Sequence, residues 1–140
     1  WSATVLVAGS GSGRPLLLTE PLSLWGGLDP HSGTIIDQRH PQVGESVTGK
    51  VLILPAGRGS SSASAILLEA IKASTAPAAI ITVEADLILT LGAVVAQEIY
   101  ATAPPVVVLS SAAYAALETA VSQQPTATIA VQEQKIQFIP

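Results

Sequence analysis

The stretch GRGSSSASAILLEAI, Gly57–Ile71, joins a segment rich in glycine, arginine and serine directly to an apolar run with helical spacing. Glycine lets a ligand approach the backbone, Arg58 supplies a fixed positive charge, and three consecutive serines supply hydroxyl groups. The first N–H groups of a helix lack intrahelical partners, and the positive end of the helix dipole favours an anion. The segment therefore predicts an anion site, N-capping by Ser60, Ser61 or Ser62, or both at once, because the two are compatible.

A second group of polar residues lies within the segments DPHSG and DQRHP. Asp29, His31, Asp37, Arg39 and His40 stand within twelve residues of one another. Asp in such turns typically accepts hydrogen bonds from the backbone just ahead of it, so solvated turn residues are the first interpretation. A role in substrate binding is the alternative.

Two glycine-rich segments come close to nucleotide-binding motifs without matching them. GSGSGR, Gly9–Arg14, has arginine at the sixth position of the dinucleotide fingerprint, and Pro15 opens a strand instead of a helix. GESVTGKV, Gly44–Val51, has valine where a P-loop needs Ser or Thr to hold magnesium. We therefore predict a hairpin turn for the first segment and a turn for the second.

Composition narrows the class of protein. Of 140 residues, 49% are hydrophobic and 11% are charged, which excludes disorder and suggests apolar surface left for a partner. The six basic residues are scattered and the net charge is −4, so nucleic acid is not an expected partner. The longest apolar candidate, Leu87–Ala96, falls short of the about 18 residues of a membrane span, so we expect no membrane contact. No signal peptide is visible, and we expect a cytoplasmic protein forming a single domain over residues 1–140.

The absence of cysteine limits what the chain binds by itself. Without thiolates it cannot form disulfides or supply the usual ligands of an iron–sulfur cluster. His31 and His40 are too few and too isolated for a metal site. We therefore expect no metal on this chain.

The sequence predicts a β-rich N-terminal half and a C-terminal half in which strands and helices alternate. These elements must position the residues described above. Strands are predicted at Thr4–Ala8, Pro15–Glu20, Lys50–Pro55, Ala78–Glu84 and within PVVVLS, TATIAV and KIQFI. Such strand–helix–strand alternation implies an α/β fold with a partly parallel sheet covered by helices.

Three helices are predicted between the strands of the second half. The first has its apolar stripe at Ala63, Ile66, Leu67, Ala70 and Ile71. The second has Asp86 as its N-cap and a stripe at Ile88, Leu91, Val95 and Ile99. The third is capped by Ser110 or Ser111 and runs through Val121.

Three segments of the sequence resemble motifs of a known family. EPLSLWGG, then RHPQ with GES, then GRGSSS occur in the order and spacing of the small, swivelling domain of the aconitase X family, from about Leu16 to Leu109. The resemblance implies a swivelling β/β/α domain, similar to that of aconitase. It also implies a large subunit or domain as partner, which carries an iron or iron–sulfur cofactor and most substrate contacts.

Members of this family are hydro-lyases, and the resemblance implies roles for particular residues. The first serine after the G-x-G of the loop, here Ser60, is the family's proton acceptor, while iron on the partner draws off the leaving hydroxyl group. Substrate-binding positions are then expected in the same loop and in RHPQ: Arg58, Gly59, Ser61, Ser62, Arg39 and His40. Ala63 departs from relatives in which the serine run continues.

Three functions remain open at this point. The chain is expected to serve a dehydratase of a small hydroxy acid, with cis-3-hydroxy-L-proline favoured over mevalonate 5-phosphate. The alternatives are a non-catalytic module that holds an anion at Ser60–Ser62 and a structural subunit that only stabilises a partner.

Overall fold

The computed structural model describes residues 1–57 and 61–139, and the following elements lie along them. The strands are β1 (Thr4–Val7), β2 (Ser10–Gly13), β3 (Pro15–Leu17), β4 (Leu28–Asp29), β5 (Thr34–Ile35), β6 (Val51–Ile53), β7 (Ala79–Thr82), β8 (Val106–Val108), β9 (Thr128–Gln132) and β10 (Lys135–Ile139). The helices are α1 (Leu24–Gly27), α2 (Ala63–Lys72), α3 (Leu87–Tyr100) and α4 (Ser111–Gln123). The short α1 is a distorted turn, because Trp25 and Gly26 have non-helical φ and ψ.

A five-stranded sheet in the order β1-β8-β7-β6-β3 forms the centre of the fold. Its pairs are parallel except that of β1 with β8. A second, antiparallel sheet has the order β10-β9-β2, and β4 pairs with β5 in a small separate ribbon. The predicted α/β class with a partly parallel sheet is therefore confirmed.

The central sheet is covered on both faces. Leu52 and Ile80 pack with α2 and α3 in one buried cluster, whereas their neighbours Ile53 and Ile81 pack with α4 and the three-stranded sheet in another. Strands that are buried on both faces have continuous apolar sequences, which explains why apolar and polar residues do not alternate in β6, β7 and β8. The resulting layers, a small sheet, a large sheet and a pair of helices, have the β/β/α arrangement that was expected.

Side-chain caps begin two of the helices where the sequence predicted them. Asp86 Oδ1 accepts hydrogen bonds from the backbone N–H groups of Ile88 at 3.0 Å and Leu89 at 2.9 Å, at the start of α3. Ser110 Oγ accepts one from Ala113 N at 3.2 Å, at the start of α4. None of the described helices has the length and apolar character needed to cross a membrane.

The hairpin turn predicted within GSGSGR is wrong. Ser10–Gly13 forms strand β2, which pairs with β9, and the flanking strands β1 and β3 lie at opposite edges of the central sheet. A Cβ atom at Gly11 would overlap the carbonyl oxygen of Ala78, and one at Gly13 would overlap that of Gly49. The glycines therefore allow β2 to lie directly against other backbone segments, a use of glycine in strands that local turn chemistry does not reveal.

The apolar stripe predicted for α3 is also wrong in part. Leu91 and Ile99 are 57% and 61% exposed. A Cβ atom at Gly92 would lie 2.9 Å from the carbonyl oxygen of Ser64, so α3 approaches α2 through small residues. The residues that α3 buries are Leu89, Gly92, Ala93 and Ala96.

Replacing Tyr114 by phenylalanine is expected to stabilise the chain by about 1 kcal/mol. The Tyr114 hydroxyl is buried on α4 without a hydrogen-bond partner in the described part of the chain, so phenylalanine removes an uncompensated polar group. Burial, and secondarily the charge of Glu118, raises the pKa of Tyr114, so its hydroxyl stays protonated. Urea unfolding tests the prediction, with the exposed Tyr100→Phe as control. A loss of stability in Tyr114→Phe would contradict it.

Candidate functional site

The four parallel strands of the central sheet have their carboxyl ends on the same side of the sheet. β3, β6, β7 and β8 run in the same direction, and the loop after β6 leads to the N-terminus of α2. In open α/β sheets, ligands bind in the crevice outside the carboxyl ends of such strands. The serine-rich loop, which the sequence predicts as an anion site, therefore begins at the carboxyl ends of the strands, where ligands bind in such sheets.

Arg58, Gly59 and Ser60 lie outside the described residues, but the residues on both sides of them are placed. Gly57 forms a parallel bridge with Leu22, and Leu22 N donates a 3.4 Å hydrogen bond to the carbonyl oxygen of Ala56. On the other side, Ser61 and Ser62 are exposed just ahead of α2. The loop is thus held at one end by the segment that follows β3 and at the other by a helix N-terminus.

The N-terminus of α2 differs from those of α3 and α4. Ser62 occupies the N-cap position with helical φ and ψ of −68° and −15°, and its side chain makes no capping hydrogen bond. Its carbonyl oxygen accepts the bond from Ala65 N at 3.1 Å. The Ser64 N–H donates to the Ser61 carbonyl oxygen at 3.4 Å, so it also has a backbone acceptor. Capping by the Ser62 hydroxyl is therefore excluded, whereas capping by Ser60 or Ser61 and the anion-binding alternative stay open.

Asp86 is a neighbour of this loop that sequence reasoning assigned only to capping. A Cβ atom at Gly57 would overlap Oδ2 of Asp86, whose Oδ1 caps α3. A cavity of about 260 Å³ opens here, lined by Ala56, Gly57, Glu84, Ala85, Asp86, Leu87 and Ile88. The topology could have indicated this neighbour, because the loops after adjacent parallel strands such as β6 and β7 meet at the same end of the sheet. Glu84 and Asp86 both follow β7, and both line the cavity at Gly57.

His40 is a buried residue that connects two loops. Its side chain is 5% exposed, and the Gln42 backbone N–H donates a 3.0 Å hydrogen bond to Nδ1. The proton is therefore on Nε2, which lies 3.1 Å from the Glu20 carbonyl oxygen and donates to it. Glu20 lies two residues before Leu22, so His40 fixes the segment that pairs with Gly57.

Arg39, the neighbour of His40, is exposed, and its backbone N–H donates a 2.9 Å hydrogen bond to Asp37 Oδ1. Asp29 makes the equivalent bond from His31 N, also at 2.9 Å. The local bonding predicted for both aspartates is confirmed. The His31 N–H and, after it, the Ser32 hydroxyl hold the pKa of Asp29 below its ordinary value, so this turn loses stability as pH falls.

Replacing His40 by alanine is expected to cost about 2 kcal/mol, because the Gln42 N–H and the Glu20 carbonyl lose their shared partner. Thermal and urea unfolding of the chain measure the change. Arg39→Ala is the matched control and should stay within about 0.5 kcal/mol of the parent, since its side chain is exposed. Equal stabilities for the two variants would show that His40 does not support the loop.

No group of three or more His, Cys, Asp or Glu side chains able to hold a metal ion occurs within residues 1–57 and 61–139. An iron or iron–sulfur group therefore does not fit the described side chains.

Comparison with known proteins agrees with this architecture. The sequence profile of the aconitase X swivel domain matches residues 1–138. Over 104 residues the chain is 48% identical to cis-3-hydroxy-L-proline dehydratase of Pseudomonas aeruginosa, covering 74% of this chain and 18% of that protein. Over 92 residues it is 48% identical to the phosphomevalonate dehydratase small subunit of Methanothermobacter thermautotrophicus, covering 66% of this chain and 70% of that subunit.

The fold also matches a solved structure. The holo-form crystal structure of Thermococcus kodakaraensis aconitase X superposes with a TM-score of 0.81 at 27% identity, covering 99% of this chain and 97% of that chain. The chain spans less than a fifth of the Pseudomonas dehydratase. With the profile match over nearly its whole length, the chain belongs to the aconitase X swivel domain family.

Proposed function

We propose that this chain is the small subunit or domain of an aconitase X-type hydro-lyase, and that Ser60 is its general base. The observation that carries the proposal is the position of the Gly57–Ser62 loop, between the carboxyl end of buried strand β6 and the N-terminus of α2, in a member of this family. Relatives from two branches are named as dehydratases, which supports the reaction class.

A serine hydroxyl is a weak base at neutral pH, so its surroundings must stabilise the alkoxide. The N-terminus of α2 and the guanidinium of Arg58 both favour a negative charge. In the proposed step the serine oxygen takes the proton from the carbon beside the one that carries the hydroxyl group, the electron pair of that C–H bond forms the C=C double bond, and the C–O bond breaks so that the hydroxyl group leaves as water. The iron or iron–sulfur group is assigned to the partner, where it would act as a Lewis acid on the departing hydroxyl group.

The substrate-binding positions have two kinds of role, direct contact with the substrate and positioning of the loop. Arg58, with Gly59, Ser61 and Ser62 beside it, is assigned to a substrate carboxylate, because a guanidinium can hold both carboxylate oxygens. The exposed Arg39 is a second candidate cation. His40 has both ring nitrogens occupied, so we assign it to positioning the loop and not to direct contact.

Cis-3-hydroxy-L-proline is the favoured substrate, and mevalonate 5-phosphate is the alternative. An amino acid carries an ammonium group, which the carboxylates of Glu84 and Asp86 beside Gly57 would attract. Mevalonate 5-phosphate has no ammonium group and carries a phosphate with nearly two negative charges besides its carboxylate, so the same residues would repel it more strongly than the zwitterionic hydroxyproline. The alternative is supported by the 48% identity to a phosphomevalonate dehydratase small subunit.

The test is to combine the purified chain with its large partner and to assay each compound. We expect dehydration of cis-3-hydroxy-L-proline by the complex and no turnover by the chain alone, because its described residues contain no group of three or more side chains able to hold a metal ion. Turnover by the chain alone would contradict the two-part enzyme. Action on mevalonate 5-phosphate alone would overturn the substrate, and a complex that binds either compound without turnover would make the chain a non-catalytic binding module.

A further inference from the structure

An apolar stripe of large side chains faces solvent on α3. Leu87 and Leu91 are 74% and 57% exposed, and Val94 is exposed on the same side. These positions are four and three residues apart, so their side chains lie in one row along the helix. We call Leu87, Leu91 and Val94 the α3 stripe.

The α3 stripe is not part of the buried core. The opposite side of α3 meets the core through Leu89 and the small residues Gly92, Ala93 and Ala96. A helix that turns its small residues inward and a row of large apolar ones outward presents a surface suited to another protein.

The α3 stripe is continuous with the candidate site. Leu87 lines the 260 Å³ cavity together with Gly57 and Asp86. Further along the helix, Val94 lines a groove of about 570 Å³ with residues of β1 and with Gln97 and Glu98. A protein that covers Gly57 and Asp86 would therefore also contact the α3 stripe and the groove beside Val94.

We propose that the α3 stripe is a docking surface for the large subunit or domain of the enzyme; this rests on the proposed function. The Pseudomonas relative contains the matched region as only 18% of its length, so most of that polypeptide is available to cover such a surface. The Methanothermobacter relative is named a small subunit. A second copy of this chain is the less suitable occupant, because each copy carries a net charge of −4.

The test measures binding and catalysis separately. Leu91→Asp and Val94→Asp place a charge within the stripe but leave the Gly57–Asp86 region unchanged. Ala116→Asp, at an exposed position on α4 on the other side of the central sheet, is the matched control. Isothermal titration calorimetry with the large partner should give a Kd about 30-fold or more higher for the stripe variants than for the control. At saturating partner, kcat should stay within about twofold of the parent.

The outcomes separate this proposal from the proposed function. Equal affinities of Leu91→Asp and Ala116→Asp for the large partner would overturn the docking surface, even if the complex is active. A tight wild-type complex that binds either compound without turnover, but is weakened by Leu91→Asp, would support the docking surface and contradict the hydro-lyase. A dimer of the free chain that Leu91→Asp dissociates, with unchanged affinity for the partner, would assign the stripe to a second copy and overturn the proposal.

Discussion

Replacing Ser60 by alanine is expected to lower kcat of the assembled enzyme by about a thousandfold. The change removes the oxygen that receives the substrate proton under the proposed function, whereas the helix N-terminus and Arg58 remain. Because Ser61 and Ser62 also precede α2, the loss of one serine should cost less than about 1 kcal/mol of stability. Steady-state kinetics of the complex and urea unfolding of the chain measure the two effects.

The matched controls for this variant are Ser61→Ala and Ser62→Ala. Both should keep kcat within about tenfold of the parent, with their larger effect on KM, because their assigned role is binding. A Ser60→Ala complex that retains kcat within tenfold would contradict the assignment of the base. A large loss of kcat in Ser61→Ala instead would move the role to that residue.

Replacing Gly11 by alanine is expected to destabilise the chain by about 3 kcal/mol. The new methyl group would overlap the carbonyl oxygen of Ala78, which belongs to the backbone and cannot turn away as a side chain would. The Ala78 backbone is also held by its N–H, which donates a 2.8 Å hydrogen bond to the Lys50 carbonyl oxygen. The free energy of unfolding in urea measures the loss.

Ser12→Ala provides the control for Gly11→Ala, since Ser12 is the next residue of β2 and its side chain is exposed. It should change stability by less than about 0.5 kcal/mol. If Gly11→Ala loses less than about 1 kcal/mol, the contact between β2 and Ala78 relaxes easily and glycine is not required there.

The features that were predicted correctly depend on residues close together in the sequence. The stripe of α2 follows from its helical period, and the caps of Asp86 and Ser110 follow from side chains that reach N–H groups two or three residues ahead. The bonds within the turns at Asp29 and Asp37 span two residues. The family resemblance placed the serine-rich loop in a known domain, which the profile match over residues 1–138 confirms.

What the tertiary structure decided depends on approaches between segments far apart in the chain. The inward face of α3 is set by how closely Gly92 approaches α2, a distance that favours small residues over the larger ones of the predicted stripe. Gly11 and Gly13 lie in a strand that packs directly against other backbone segments, where a Cβ atom would overlap a carbonyl oxygen. Asp86 meets Gly57, and His40 reaches Glu20, only after β3, β6 and β7 are aligned in parallel. Local periodicity and turn chemistry contain no information on such contacts, since each is made by backbone or side-chain atoms at least 20 residues apart in the chain.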